Sequence, residues 1–266
     1  MNLLYSSQSN GLWLIFLSND LNAFVFLPSH SKGIHMKTST PTDPTSNVVQ
    51  LFDYQQKAYQ DRRLLRVSAE CDGLSMLYSN HHTNSDKLYS MKVLCWALQA
   101  NGDVVGIVPW LNKASPCQDL DDPYYGKWQG YYDPKNDQLF FEPPEHKVLE
   151  LQKAVQYFGE PDQSETTIHQ EIPDTIGTHA MLSDTQNNGL ILTDILSWRL
   201  YGDGHLDAMI IDEQLVDATP ILVGDPCLYP VSANPDFRYF FQHHIANQIK
   251  AQDPDSMAAI ELLLDR

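Results

Sequence analysis

Trp96–Val108 reads WALQANGDVVGIV, and Trp198–Ile210 reads WRLYGDGHLDAMI. The two stretches share the pattern W-x-L-x-x-[ND]-G-x-[VL]-x-[GA]-[IM]-[VI], 102 residues apart and without a gap. In each, an Asx-Gly pair separates two apolar runs. Both turn residues tolerate positive φ, so the pattern predicts a β-hairpin centred on Asn101-Gly102 and another on Asp203-Gly204. Two readings of the likeness stand side by side. Any two amphipathic hairpins with an Asx-Gly turn look similar. Alternatively, a strand-hairpin-helix unit is duplicated, which would place a ligand between two pseudo-equivalent halves.

Working outward, Leu88–Leu98 is apolar and leads into the first turn, and Val104–Val108 returns from it. A further hairpin is expected from Trp128–Asp133 and Gln138–Glu142 through Pro134-Lys135-Asn136-Asp137. Pro143-Pro144 introduces a helix with Val148, Leu151, Val155 and Phe158 at helical spacing, and Gly159 ends it. Residues 160–167 are polar and form the best internal boundary. Strands resume near Thr178. Leu192–Leu200 reads as one half-buried strand whose alternation breaks at Asp194 and Ile195. Asn234-Pro235 carries the start signal of a helix with a Phe237, Phe241, Ile245, Ile249 stripe, and Asp253-Pro254 the start signal of a second. The fold class expected from this is α+β: two antiparallel β-hairpin or meander units with helices at the ends, closing on a C-terminal helical pair. The expected units are residues 36–159 and the acidic 168–266.

Residues 1–35 read differently. Leu12–Leu27 is apolar but is broken at Ser18-Asn19-Asp20 and Asn22, too short to span a bilayer. No Lys or Arg precedes Lys32, so a secretory signal lacks its basic n-region. Translation from Met36 is the expectation, with residues 1–35 a non-native or poorly ordered extension.

The formal net charge is −17, and residues 154–237 hold 14 acidic side chains against a single basic one, Arg199. Such a chain repels nucleic-acid phosphates and anionic lipid, which argues against both as partners. It suits a basic protein partner, with Asp203, Asp212 and Glu213 among the docking residues. Cys71, Cys95, Cys117 and Cys227 form no CxxC pair and no zinc spacing, which points to a reducing, cytoplasmic setting.

Established catalytic motifs are absent. Four groups remain as candidates. His169, Glu171 and His179, with Asp174 nearby, offer nitrogen and carboxylate ligands to a divalent metal. His205 and Asp207 alternate onto one strand face, as a base and its orienter would. His243-His244 diverge by about 100° on a helix and cannot easily grip one ion. Tyr124, Tyr125, Trp128, Tyr131 and Tyr132 form an aromatic run that can stack on a ligand or pack a core. The leading expectation is a non-enzymatic binding module. The alternative is a metal-dependent hydrolase built on the second half's His and carboxylate residues.

Overall fold

The computed structural model describes residues 62–80, 88–122, 126–184, 187–211 and 228–252, together with 254 and 261. Residues 1–35 lie outside this set, as do Tyr124, Tyr125, Asp212, Glu213 and almost all of the second C-terminal helix expected above.

The first half runs β1 (Leu64–Ala69), β2 (Ser75–Asn80), β3 (Leu88–Lys92), β4 (Cys95–Gln99), β5 (Val104–Trp110), β6 (Lys113–Pro116), β7 (Asp121–Asp122), β8 (Gly126–Asp133), β9 (Gln138–Phe140) and α1 (Glu145–Phe158). The second runs β10 (Ile168–Pro173), β11 (Thr178–Asp184), β12 (Gly189–Asp194), β13 (Ser197–Tyr201), β14 (Leu206–Ile211), β15 (Leu228–Pro230), β16 (Phe237–Gln242) and α2 (His243–Gln252). Sheet A has the order β1-β4-β5-β6, and sheet B the order β3-β2-β8-β7, with β9 on β8. Sheet C has the order β10-β13-β14-β15, and sheet D the order β12-β11-β16.

This corrects the α+β expectation. Among the described residues the fold is mostly β, with 51% in strands, four small antiparallel sheets in a propeller-like ring and two helices. Two errors of reading account for the difference. Leu192–Leu200, expected as one strand, contains two, and the apolar run Leu88–Leu98 likewise divides between two strands. The chain leaves sheet B at Val93-Leu94 and enters sheet A; it leaves sheet D at Ile195-Leu196 and enters sheet C. Val93, Leu94 and Ile195 are buried at these crossings. Phe237–Gln242, expected as helix, is instead the third strand of sheet D. There Phe240 faces Ala180 and Tyr239 faces Met181, and these cross-strand pairs outweigh a helical stripe and an Asn-Pro start signal.

The two halves correspond strand by strand. Sheets A and C share one strand order, and β3-β2-β8 matches β12-β11-β16. A bulge falls at Leu64/Arg66 in one and at Ile168/Gln170 in the other. Trp96 stands opposite Gly106 as Trp198 stands opposite Ala208. Both indoles are fully buried, and each is held in the same way. Trp96 Nε1–H donates to Glu70 Oε2 at 2.6 Å, and Trp198 Nε1–H to Asp174 Oδ1 at 3.0 Å. The second oxygen of each carboxylate closes the following turn. Glu70 Oε1 accepts from Gly73 and Leu74 at 3.0 and 3.3 Å, and Asp174 Oδ2 from Gly177 and Thr178 at 2.7 and 2.9 Å.

Packing across each sandwich follows the same rule with exchanged volumes. Trp96 meets Tyr131 of sheet B at 4.8 Å, and Trp198 meets Phe240 of sheet D at 5.1 Å. Tyr131 Oη accepts the Gly106 N–H at 2.8 Å, and a Cβ on Gly106 would lie 2.7 Å from the Tyr131 ring. The second half has Ala208 there and no phenol oxygen opposite. Glycine with tyrosine in one half thus fills the space of alanine with phenylalanine in the other. One core joins sheet B to the Trp96 face of sheet A, with Leu151 of α1. The other joins Val67, Cys95, Ala97, Val105 and Ile107 on the far face of sheet A to the Trp198 face of sheet C. The β1 edge is sealed by Gln170: Val67 N–H donates to its Oε1 at 3.1 Å, and its Nε2 donates to Val67 O at 2.6 Å.

Gly102 and Gly204 both have positive φ, 92° and 88°. A Cβ at Gly102 meets nothing within 4 Å, whereas one at Gly204 lies 2.8 Å from Leu64 N and also strikes Arg63. Gly102→Ala should therefore cost about 1 kcal/mol of backbone strain. Gly204→Ala should cost about 1–3 kcal/mol more from overpacking. Urea unfolding of the two variants checks the order; equal losses would mean that the Arg63-Leu64 contact is not rigid. Glu70→Gln keeps one acceptor for Trp96 but presents an amide NH2 to backbone N–H donors. It should destabilise by about 1–3 kcal/mol, as should Asp174→Asn. A loss confined to one of the two would break the equivalence.

Candidate functional site

The outer face of sheet C carries a polar row. Glu171 on β10 pairs in register with Arg199 on β13, which pairs with Asp207 on β14. Arg199 Nε–H donates to Glu171 Oε2 at 2.9 Å, and Ser197 Oγ–H to Glu171 Oε1 at 2.5 Å. Asp207 is 6% exposed. Its Oδ2 accepts from Ser232 Oγ–H, and its Oδ1 from the Ala208 N–H at 2.8 Å. His205 stands beside it at the hairpin end, with Nε2 3.7 Å from Asp207 Oδ2, and Tyr201 stacks on its ring at 6.3 Å. Contact with Asp207 raises the His205 pKa above the ordinary histidine value, against the opposing effect of burial. Asp203 Oδ1 accepts the His205 N–H at 2.9 Å and holds the turn.

The first half shows what this row replaces. The corresponding register positions are Val67, Ala97 and Val105, all buried and apolar. The same backbone therefore accommodates a hydrophobic row without difficulty.

The residues singled out by sequence fall in several places. His205 and Asp207 are brought together. His169 and Glu171 lie on β10, but Glu171 is engaged by Arg199 and Ser197. His179 lies on β11 of sheet D, where its Nε2 is 3.0 Å from Asp194 Oδ1 and its ring contacts His243 at 4.8 Å. Among the described residues, no group of three or more His, Cys, Asp or Glu side chains is placed to hold a metal ion, so His169, Glu171 and His179 do not assemble. Trp128 packs on Tyr131 and Phe141 at 5.4 and 6.2 Å, and Tyr132 Oη–H donates to Asp137 at 2.8 Å. The described rings of the aromatic run thus serve the sheet B core and a turn. A shallow open cleft lies along α1, lined by Glu150, Lys153, Ala154 and the exposed Tyr157 and Phe158. It gathers no histidine.

Sequence reasoning passed over Arg199, Ser197 and Ser232. Arg199 had a visible signal: it is the only basic residue in 84, at a position where the first hairpin has Ala97. Ser232 had none, because a single 3-10 turn at Val231–Ala233 brings it in from beyond β15.

No family model, no curated protein and no solved structure matches this chain. No helix among the described residues is long and apolar enough to cross a membrane.

His244 supplies a prediction. Burial, with the Lys92 charge adding to it, pushes its pKa down to about 4. A folded-state pKa below the ordinary 6.5 means that the unfolded chain takes up the proton first as pH falls. Stability from this residue is therefore complete above pH 6.5, declines toward pH 4 and is lost below it. His244→Gln, which keeps an acceptor but does not titrate, should flatten the stability slope between pH 4 and 6.5 in parallel urea titrations. An unchanged slope would place the pH dependence elsewhere.

Proposed function

We propose that this chain is a cytoplasmic, non-enzymatic binding module. Its two units, within 36–159 and 168–266, are the halves of one duplicated scaffold. Its partner is a basic protein that presents a Lys or Arg side chain to the Glu171–Arg199–Asp207 row of the second half. The replacement of Val67, Ala97 and Val105 by this row is the observation that carries the reading. Buried charged groups are commonly less stabilising than well-packed apolar residues of similar volume, by about 1–4 kcal/mol. A protein that holds the apolar solution in one half and the charged one in the other keeps the charges for recognition. Glu171 and Asp203, with the half-exposed His205, form the accessible rim, and Asp207 with Arg199 the floor. The carboxylates outnumber the guanidinium, so the field favours an incoming cation. Free thiols at Cys71, Cys95 and Cys117 suit a reducing compartment.

The hydrolase alternative has weaker support. Among the described residues, no three His, Cys, Asp or Glu side chains are placed together to hold the divalent metal that it needs. The 3.7 Å separation of His205 from Asp207 exceeds a hydrogen bond.

The test transplants the first half's row into the second: Glu171→Val, Arg199→Ala and Asp207→Val together. The variant should be more stable than the parent by about 1–4 kcal/mol. It should also bind an oligo-arginine peptide at least about tenfold more weakly at low salt, with the parent's affinity falling as salt rises. A variant that is less stable and binds equally well would make the row structural and sink the reading.

A further inference from the structure

β3 is the edge strand of sheet B, and its outward ladder groups are met by a helix. Gln248 of α2 receives the Ser90 N–H on Oε1 at 2.8 Å and donates from Nε2 to Ser90 O at 2.8 Å. His244 Nε2 accepts the Lys92 N–H at 3.3 Å. The spacing explains the fit. Residues 244 and 248 sit one helical turn apart, about 6 Å along the axis. Ser90 and Lys92 are the alternate, outward-facing residues of an antiparallel edge, about 6.7 Å apart. One face of α2 thus takes the place of a neighbouring strand, and the primary amide of Gln248 reproduces the pair of bonds that an opposite residue would make. Helices commonly cover sheet edges that would otherwise pair with another chain.

We infer that α2 is a removable cap on β3, and that with the cap lifted this edge pairs with the same edge of a second copy of the chain. The geometry at Ser90 supports a two-fold arrangement. A residue whose N–H and C=O both point outward is the centre of a hydrogen-bonded pair, so Ser90 can face Ser90 of the second copy and exchange both bonds. Leu88, 46% exposed, then stands opposite Lys92 across the join, and no two like charges meet. Sheet B would continue through the dimer as one antiparallel sheet. The cap is lightly packed. Within His243–Gln252 only Ala246 is buried, so few packed side chains hold this part of the cap in place.

The test uses the full chain at about 0.3 M salt, where surface repulsion is screened within several ångströms. Sedimentation velocity and amide exchange are read together. The parent should be monomeric, with slow exchange at Ser90 and Lys92. Gln248→Ala with His244→Ala should double the sedimenting mass while Ser90 remains protected in the dimer. Adding Leu88→Lys, which sets Lys against Lys92, should return it to monomer with Ser90 exchange at least about tenfold faster. If the double variant does not fold, Gln248→Glu serves instead. It can still accept from Ser90 N–H but cannot donate to Ser90 O, and it should shift the monomer–dimer balance in the same direction. A folded variant that stays monomeric with fast exchange at Ser90 would overturn the pairing. A variant that stays monomeric with slow exchange would overturn the cap.

Discussion

Each half of the protein is organised around one buried indole whose N–H must find an acceptor. Trp96 and Trp198 are fully enclosed, so an unpaired N–H on either would lose its hydration without compensation. Glu70 and Asp174 supply the acceptors, and the same two carboxylates gather the backbone N–H groups of the turns that follow β1 and β10. Those turns carry the chain from one sheet of the half into the other. The indole bond therefore ties sheet A to the entry of sheet B, and sheet C to the entry of sheet D. Glu70 reaches its indole with one more methylene than Asp174, and both still close the turn.

The halves differ in what covers them. The Trp96 face of sheet A receives α1, anchored where Lys147 Nζ donates to Ser68 Oγ and Ala69 O. The Trp198 face of sheet C receives sheet A itself. Two sheet edges, β1 and β3, are sealed by side-chain amides. Gln170 does this at Val67 and Gln248 at Ser90, each offering an acceptor and a donor to a single residue. Among the described residues, the outer face of sheet C carries charge where the same face of sheet A carries the apolar row.

Much of the local structure was legible. The Asx-Gly turns, the β8–β9 hairpin and the helix after Pro143-Pro144 ending at Gly159 all follow from short-range chemistry, chiefly turn residues and helical spacing. Leu192–Leu200 reads as a single strand but divides between two sheets, as the apolar run Leu88–Leu98 does, because a short apolar run looks the same whether it stays in one sheet or crosses to another. At Phe237–Gln242 a helical stripe and a strand's alternation overlap, and the choice falls to Met181 and Ala180 on the neighbouring strand. In the site, the alternation of His205 and Asp207 was readable along one strand. Glu171 and Ser232 reach the same face from strands and turns 25 or more residues away, and nothing in their spacing announces it.

The sequence by itself determined the turns, the two tryptophan hairpins and the acid excess of the second half, since each depends on residues close in the chain or on a simple count. Only the tertiary structure decided that the strands divide among four sheets with one of those hairpins at the centre of sheet A and the other at the centre of sheet C, that one carboxylate serves each indole, and that Glu171, Arg199 and Asp207 form a row. These are pairings between distant strands. Register between such strands is set by which faces can be buried together, and that is a property of the assembled core rather than of any one segment.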